Sequence, residues 1–114
     1  MAVEGIKRGS VYLVDLNTDP GGQPKKRPML VVQNDQGNLA GATTIVVALT
    51  SVTPSQVFPF HVYLPADVLG RQGVILCEQV KTVSLDRVDS YPLAVCSADI
   101  MRQVDEALRL SLGL

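Results

Sequence analysis

The sequence predicts a mainly β domain: a small, curved or barrel-like antiparallel sheet that carries helices on its outside and ends in a C-terminal α-helix. Three observations lead there. Apolar, strand-like runs fill the chain from Ser10 to Cys96, separated at short intervals by glycine- and proline-bearing turns. The spacing of apolar residues changes to a helical period only after Ser97. Strands first and a terminal helix last fit a curled sheet with helices appended.

The elements follow in order. Ser10 to Leu16 alternates, with Val11 and Leu13 on one side and Tyr12 and Val14 on the other. Pro20-Gly21-Gly22 then turns the chain. Met29 to Val32 and Thr44 to Leu49 are continuous apolar runs rich in branched side chains, which suit strands buried on both faces. Between them, Gly37-Asn38 and Gly41 read as turn signals. After Pro54-Ser55, Phe60 to Leu64 alternates around His61. Leu64 to Gly70 reads as one short helical turn, with Pro65 at its first position and Gly70 closing it. Gly70 to Gly73 turns the chain into a long strand, Val74 to Val83, whose polar residues enter at Glu78. Ile100, Val104, Ala107, Leu108, Ser111 and Leu112 share one helical face, with Ser97 as N-cap, Asp99 in the first turn and Gly113 at the end.

At 114 residues the chain is expected to be a single domain spanning 1–114, large enough to build one core without staples. It holds no repeats, linkers or low-complexity tracts. Hydrophobic residues make up 46% and the mean hydropathy is +0.22. No apolar run approaches the roughly 18 residues that span a bilayer, and the N-terminus lacks the apolar stretch of a signal peptide. The surplus apolar surface is therefore expected at a subunit interface, in a cytosolic protein. Net charge is −1, so bulk electrostatics does not announce a nucleic-acid binder. Basic charge is dense only at Lys25-Lys26-Arg27, a patch that suits a few phosphates of a short strand. Cys77 and Cys96 lack paired spacing and His61 is the sole histidine, so no metal-ligand set or cofactor is expected. Both cysteines read as buried, inert thiols.

The chemistry concentrates in four segments. Arg27-Pro28-Met29-Leu30-Val31-Val32-Gln33-Asn34-Asp35 sets a cation and a proline before an apolar strand. Val47-Ala48-Leu49-Thr50-Ser51 ends a strand in two hydroxyls. Ile75-Leu76-Cys77-Glu78-Gln79-Val80-Lys81-Thr82 brings polar residues into a third, and Lys7-Arg8-Gly9-Ser10-Val11-Tyr12 precedes them all. Together and in this order, from Lys7 to the C-terminal helix, they resemble the MazF/PemK (Kid) family of toxin endoribonucleases. The resemblance implies a small SH3-like antiparallel barrel and sequence-selective, metal-independent cleavage of single-stranded RNA. It also implies a homodimer and a cognate antitoxin whose acidic segment folds onto the toxin.

Cleaving RNA without a metal uses the neighbouring 2′-hydroxyl as nucleophile. The protein must help remove its proton, stabilise added charge on phosphorus and help the 5′-oxygen leave. Donors placed where charge develops usually contribute most to the rate. Arg27 suits that task because its planar fork grips two phosphate oxygens. The resemblance carries the catalytic pair to Arg27 and Thr50, with Ser51 as the alternative hydroxyl on the opposite strand face. Arginine stays protonated in proteins, so Arg27 reads as charge stabiliser and proton donor, and the base is left unassigned. Gln79 and Lys81 share a strand face and suit a base edge and a phosphate. Gln23, Lys25 and Lys26 complete the expected substrate-binding set. Glu78 reads as one half of a structural salt bridge and His61 as a structural histidine. Where many relatives carry a serine and an acidic residue, this chain has Gly21-Gly22.

Two other functions share the fold. A CcdB-like toxin binds and poisons DNA gyrase, but the Trp-Gly-Ile ending of that type is absent here, where the chain closes Ser-Leu-Gly-Leu. A non-catalytic SH3-like peptide module presents aromatics, which this chain largely lacks.

Overall fold

The computed structural model describes residues 5–16, 21 and 25–114. The described strands are β1 (Ser10–Asp15), β2 (Lys26–Val31), β3 (Thr43–Thr50), β4 (His61–Leu64), β5 (Gly73–Ser84) and β6 (Ala94–Val95), and they form one antiparallel sheet in the order β4-β5-β3-β2-β1-β6. Helices α1 (Asp35–Ala40), α2 (Ala66–Leu69) and α3 (Ala98–Leu112) attach to it.

Both faces of the sheet bury apolar side chains, as the continuous runs in β2 and β3 anticipate. On one face Val11, Leu30, Val47, Ile75 and Val62 pack with Ile100, Val104 and Ala107 of α3. The other face gathers Tyr12, Val14, Met29, Val31 and Val46, and the far half of β5 and the segment after it add Val83 and Val88. A bridge between Val14 and Val88 brings that segment back to β1, so the sheet curls into a half-barrel. Leu30 is fully buried on the centrally placed β2, and truncating it to alanine removes about 2–5 kcal/mol.

Helix α3 is built as its sequence predicts at both ends. Ser97 Oγ accepts from Ile100 N–H at 3.2 Å, and Gly113 closes the helix with φ of 74°, a left-handed conformation that glycine adopts freely. Leu112, expected on the buried face, is exposed, because the helix outruns the sheet by its last turn. Arg8 ties the helix to the sheet by donating to Val32 O and to Asp105 Oδ1.

Several local expectations are corrected. Gly37-Asn38 lies inside a helix, α1, rather than a turn. Asn34 caps that helix by accepting from Gly37 N–H at 2.8 Å, and Asp35 in its first turn accepts from Arg8 N–H. That backbone bond is the main reason the Asp35 carboxyl lies below its usual range. Pro65 is the N-cap of α2, not its first residue. Strand β2 starts at Lys26, so Arg27 and Pro28 sit inside the strand and not in a loop before it. In β5, Val80 pairs with Val47 and Leu76 with Ala48, which leaves Cys77, Glu78 and Gln79 as a bulge without partners on β3. No helix among the described residues is long and apolar enough to cross a membrane.

Candidate active site

The site begins with a proline in an interior strand. Pro28 pairs with Leu13 of β1 on one side, but it has no N–H to offer β3 on the other. The β2–β3 register stops at Met29↔Ala48, although β2 reaches back to Lys26 and β3 runs on to Thr50. The two strand ends therefore part where Pro28 stands, and a small notch lined by Pro28, Leu49, Thr50 and Ser51 opens there.

Register determines which side chains share a sheet face beside that opening. Arg27 pairs with Val14 and Met29 with Tyr12, so Arg27 lies on the same sheet face as those buried residues. Continued by two residues, the Met29↔Ala48 register sets Arg27 opposite Thr50 on that face. Beyond the last pair the strands part, so Arg27 and Thr50 stand on either side of the gap, a placement that suits donors to one phosphate group. Thr50 Oγ1 accepts from Val52 N–H at 3.1 Å, which orients the hydroxyl and leaves its proton free to donate. Ser51 follows with the opposite strand parity and is exposed.

The other predicted site residues divide. Lys26 is bound to Asp89, Nζ to Oδ1 at 3.0 Å, so the three adjacent basic residues do not form one free patch. Lys25 and Arg27 are exposed, and among the described residues neither side chain meets a carboxylate. Gln23 lies outside the described residues. Gln79 is exposed on the bulge of β5. Lys81 pairs with Val46, well along β3 from Thr50, and shares a cavity of about 180 Å³ with Asp15, Leu16 and Arg87. The curl of the sheet thus brings Lys81 to the end of β1, where Val14 and Asp15 pair with Arg27 and Lys26.

Glu78 and His61, each read as structural, meet one another, Nε2 to Oε2 at 3.0 Å, with the imidazole almost fully buried. Phe58 and Phe60 stack on one another and meet the ring edge-on, while His61 Nδ1 has no partner among the described residues. Cys77 and Cys96 are free and buried. Burial pushes the Cys77 thiol up to about 11, and the Glu78 carboxylate adds to the effect; burial likewise raises Cys96.

Three residues beside the opening escape a reading of the sequence. Strand β5 runs antiparallel to β3, so its start lies at the end of β3, and Arg71 and Gln72 line the notch with Thr50 and Ser51. Tyr63 pairs with Val74, which pairs with Thr50, so Tyr63 and Thr50 share a row on one face. The Gly70-to-Gly73 signal marks that loop in the sequence, but nothing in the sequence alone tells which strand end it meets.

Comparison with known proteins gives the same architecture a family. Residues 7–112 match the family described as PemK-like, MazF-like toxin of type II toxin–antitoxin system. The chain is 40% identical over 112 residues to Endoribonuclease EndoA of Bacillus subtilis (strain 168), with 96% of each covered. Its fold matches an endoribonuclease from a mycobacterial species in complex with its cognate antitoxin, with a TM-score of 0.80, 26% identity and 96% of each chain covered. It also matches a MazE–MazF crystal structure from Deinococcus radiodurans, with a TM-score of 0.77, 27% identity, and 96% of this chain and 97% of that one covered. A half-barrel parted at Pro28 is thus matched along nearly its whole length by proteins of one kind, and the chain belongs to the PemK-like, MazF-like endoribonuclease toxins of type II toxin–antitoxin systems.

Proposed function

We propose that this protein cleaves single-stranded RNA at selected sequences without a metal, by attack of a 2′-hydroxyl on the adjacent phosphorus. The observation that carries the reading is that β2–β3 pairing stops at Met29↔Ala48, two residues short of Arg27 on one strand and of Thr50 on the other. In the reaction the 2′-oxygen bonds to phosphorus, the bond from phosphorus to the 5′-oxygen breaks, and a proton passes to the departing oxygen. The products are a 2′,3′-cyclic phosphate and a 5′-hydroxyl. The Arg27 guanidinium neutralises the charge growing on the non-bridging oxygens, and the Thr50 hydroxyl donates to one of them.

The same reading assigns partners. An acidic antitoxin segment suits a cleft bordered by Arg27 and Lys25, so RNA and antitoxin compete, in the cytoplasm, for the same few charges. Exposed Leu39, Tyr91, Leu93 and Val95 supply apolar area for a homodimer, and light scattering is expected to give about twice the 12.2 kDa chain mass. The gyrase-poisoning alternative gains no support from the family match.

The deciding experiment incubates the protein with a long RNA in EDTA and maps the product ends. Full activity with 5′-hydroxyl ends is expected. Arg27→Ala is expected to cut about 100–1000-fold more slowly in single turnover. Activity lost to EDTA and restored by magnesium, 5′-phosphate ends, or near-normal cleavage by the Arg27 variant would each overturn the mechanism.

A further inference from the structure

Beyond the end of β3, next to Thr50, lies a cavity of about 260 Å³ that the cleavage chemistry does not use. Its walls come from the loop after β3 (Ser51 and Thr53), the end of β4 (Tyr63), Pro65, and the turn into β5 (Gln72). Gly73 keeps its floor open: a Cβ there would lie 3.4 Å from Thr50 O. Among the described residues none of the lining side chains is charged. Tyr63 is 49% exposed on an edge strand, an uncommon placement for an aromatic ring without a partner to cover it. Gly70 ends α2 in the left-handed region, φ 81°, and so turns Arg71 and Gln72 toward the end of β3. Arg71 lines the notch that joins Thr50 and Ser51 to this cavity, and among the described residues its guanidinium meets no carboxylate.

A ring platform, a neutral amide and a free cation beside a phosphate-gripping pair are what one nucleotide of a single strand requires. We propose that this cavity is a nucleobase subsite flanking the cleaved bond, in which Tyr63 stacks the base, Gln72 reads its edge and Arg71 holds its phosphate. The proposal rests on the RNA-cleaving reading and adds the residues that choose the sequence. Tyr63 lies two strands from Thr50 in one row, about 10 Å away, a span that suits a base next to a phosphate held at Thr50. Stacking tolerates any base, so discrimination falls to Gln72. An amide offers one donor and one acceptor side by side, and so grips any exposed base edge that sets an acceptor beside a donor.

The test maps every cut made in a long RNA by wild type, Gln72→Glu, Tyr63→Ala, Tyr63→Phe and Arg71→Ala, with single-turnover KM for each. Tyr63, Arg71 and Gln72 are all exposed, so melting temperatures are expected to stay near wild type. A glutamate only accepts, so Gln72→Glu is expected to shift the preference at one flanking position toward guanine, whose N1–H and N2–H both donate, leaving other positions unchanged. Tyr63→Ala is expected to raise KM roughly 5- to 150-fold while Tyr63→Phe keeps it within about threefold, because the ring and not the hydroxyl carries the contact. Arg71→Ala is expected to lower the slope of log affinity against log salt by about one. An unchanged base preference in Gln72→Glu together with an unchanged KM in Tyr63→Ala overturns the subsite. If wild type cuts RNA and the variants copy its profile, the subsite alone falls; if wild type leaves RNA intact, the RNA reading falls with it.

Discussion

Replacing Thr50 is expected to separate chemistry from folding, because its hydroxyl makes one small structural bond and, in the proposed mechanism, donates to the developing charge. Thr50 Oγ1 accepts only from Val52 N–H, a local contact at the exposed end of β3. Losing such a bond costs about 0.5–1.5 kcal/mol. A domain stable by about 5–15 kcal/mol stays more than about 99% folded after that loss. Unfolding therefore removes less than about 1% of the active molecules, whereas losing a donor to the developing charge costs about 100–1000-fold in rate. Thr50→Val keeps the shape and removes the hydroxyl; Thr50→Ser keeps the hydroxyl and removes a methyl. Single-turnover cleavage at saturating RNA, measured beside thermal melting, is expected to collapse for Thr50→Val and Thr50→Ala and to survive in Thr50→Ser, with melting shifts of no more than about 6 °C. Ser51→Ala is expected to keep the chemical step, since Ser51 has the opposite strand parity. Active Thr50→Val refutes the assignment, and a dead Ser51→Ala beside it moves the hydroxyl by one residue.

Two further outcomes concern the scaffold. Asn38 is buried and uses its full bonding capacity: Oδ1 accepts from Thr44 Oγ1 at 2.6 Å and Gln33 Nε2 at 3.0 Å, while Nδ2 donates to Gln33 O and Asp35 Oδ1. Asn38→Ala is expected to cost about 2–4 kcal/mol and lower the melting temperature by roughly 8–16 °C, with cleavage by the folded protein unchanged; a drop below about 3 °C contradicts the knot. The Cys77 thiol, raised to about 11, stays protonated in the folded chain while the unfolded chain ionises first. The stability this provides is complete below the ordinary thiol value of 9.0 and is lost as pH rises toward 11, which denaturant unfolding across that range reads directly. Rapid labelling of native Cys77 at neutral pH would contradict its burial.

Much of the fold is legible because periodicity reports burial. The alternation in β1, the doubly apolar runs of β2 and β3, and the capped amphipathic helix at the C-terminus each state which faces are covered. Helix α1 is not legible, for a physical reason. Gly37 and Asn38 are poor helix formers, and the segment is held as a helix by the hydrogen bonds of Asn38 to Gln33, Asp35 and Thr44. Those partners flank Asn38 within six residues, but they act through side-chain bonds that helix propensity does not report. The pairing of Lys26 with Asp89 is illegible too, since it joins residues far apart in sequence.

The site itself rests on two interruptions of the sheet ladder, and only one of them is written locally. Pro28 is visible in the sequence, and once β2 is known to be interior, its missing N–H accounts for the parting of β2 from β3. The bulge at Cys77, Glu78 and Gln79 is not visible. Read straight on from Val47↔Val80, the register would set Thr50 against Cys77 and carry the start of β5 past the end of β3. The three unpaired residues shift the register so that Thr50 meets Val74 instead. That shift aligns Tyr63 with Thr50 and brings Arg71 and Gln72 to the notch, while it turns Glu78 toward His61. Bulges recur beside active sites because they re-aim side chains without unfolding a strand. Deleting one residue from this bulge is therefore a sharper perturbation than any single substitution. It reverses the face of every residue on one side of the deletion, and RNA cleavage is expected to be lost even where the chain still folds.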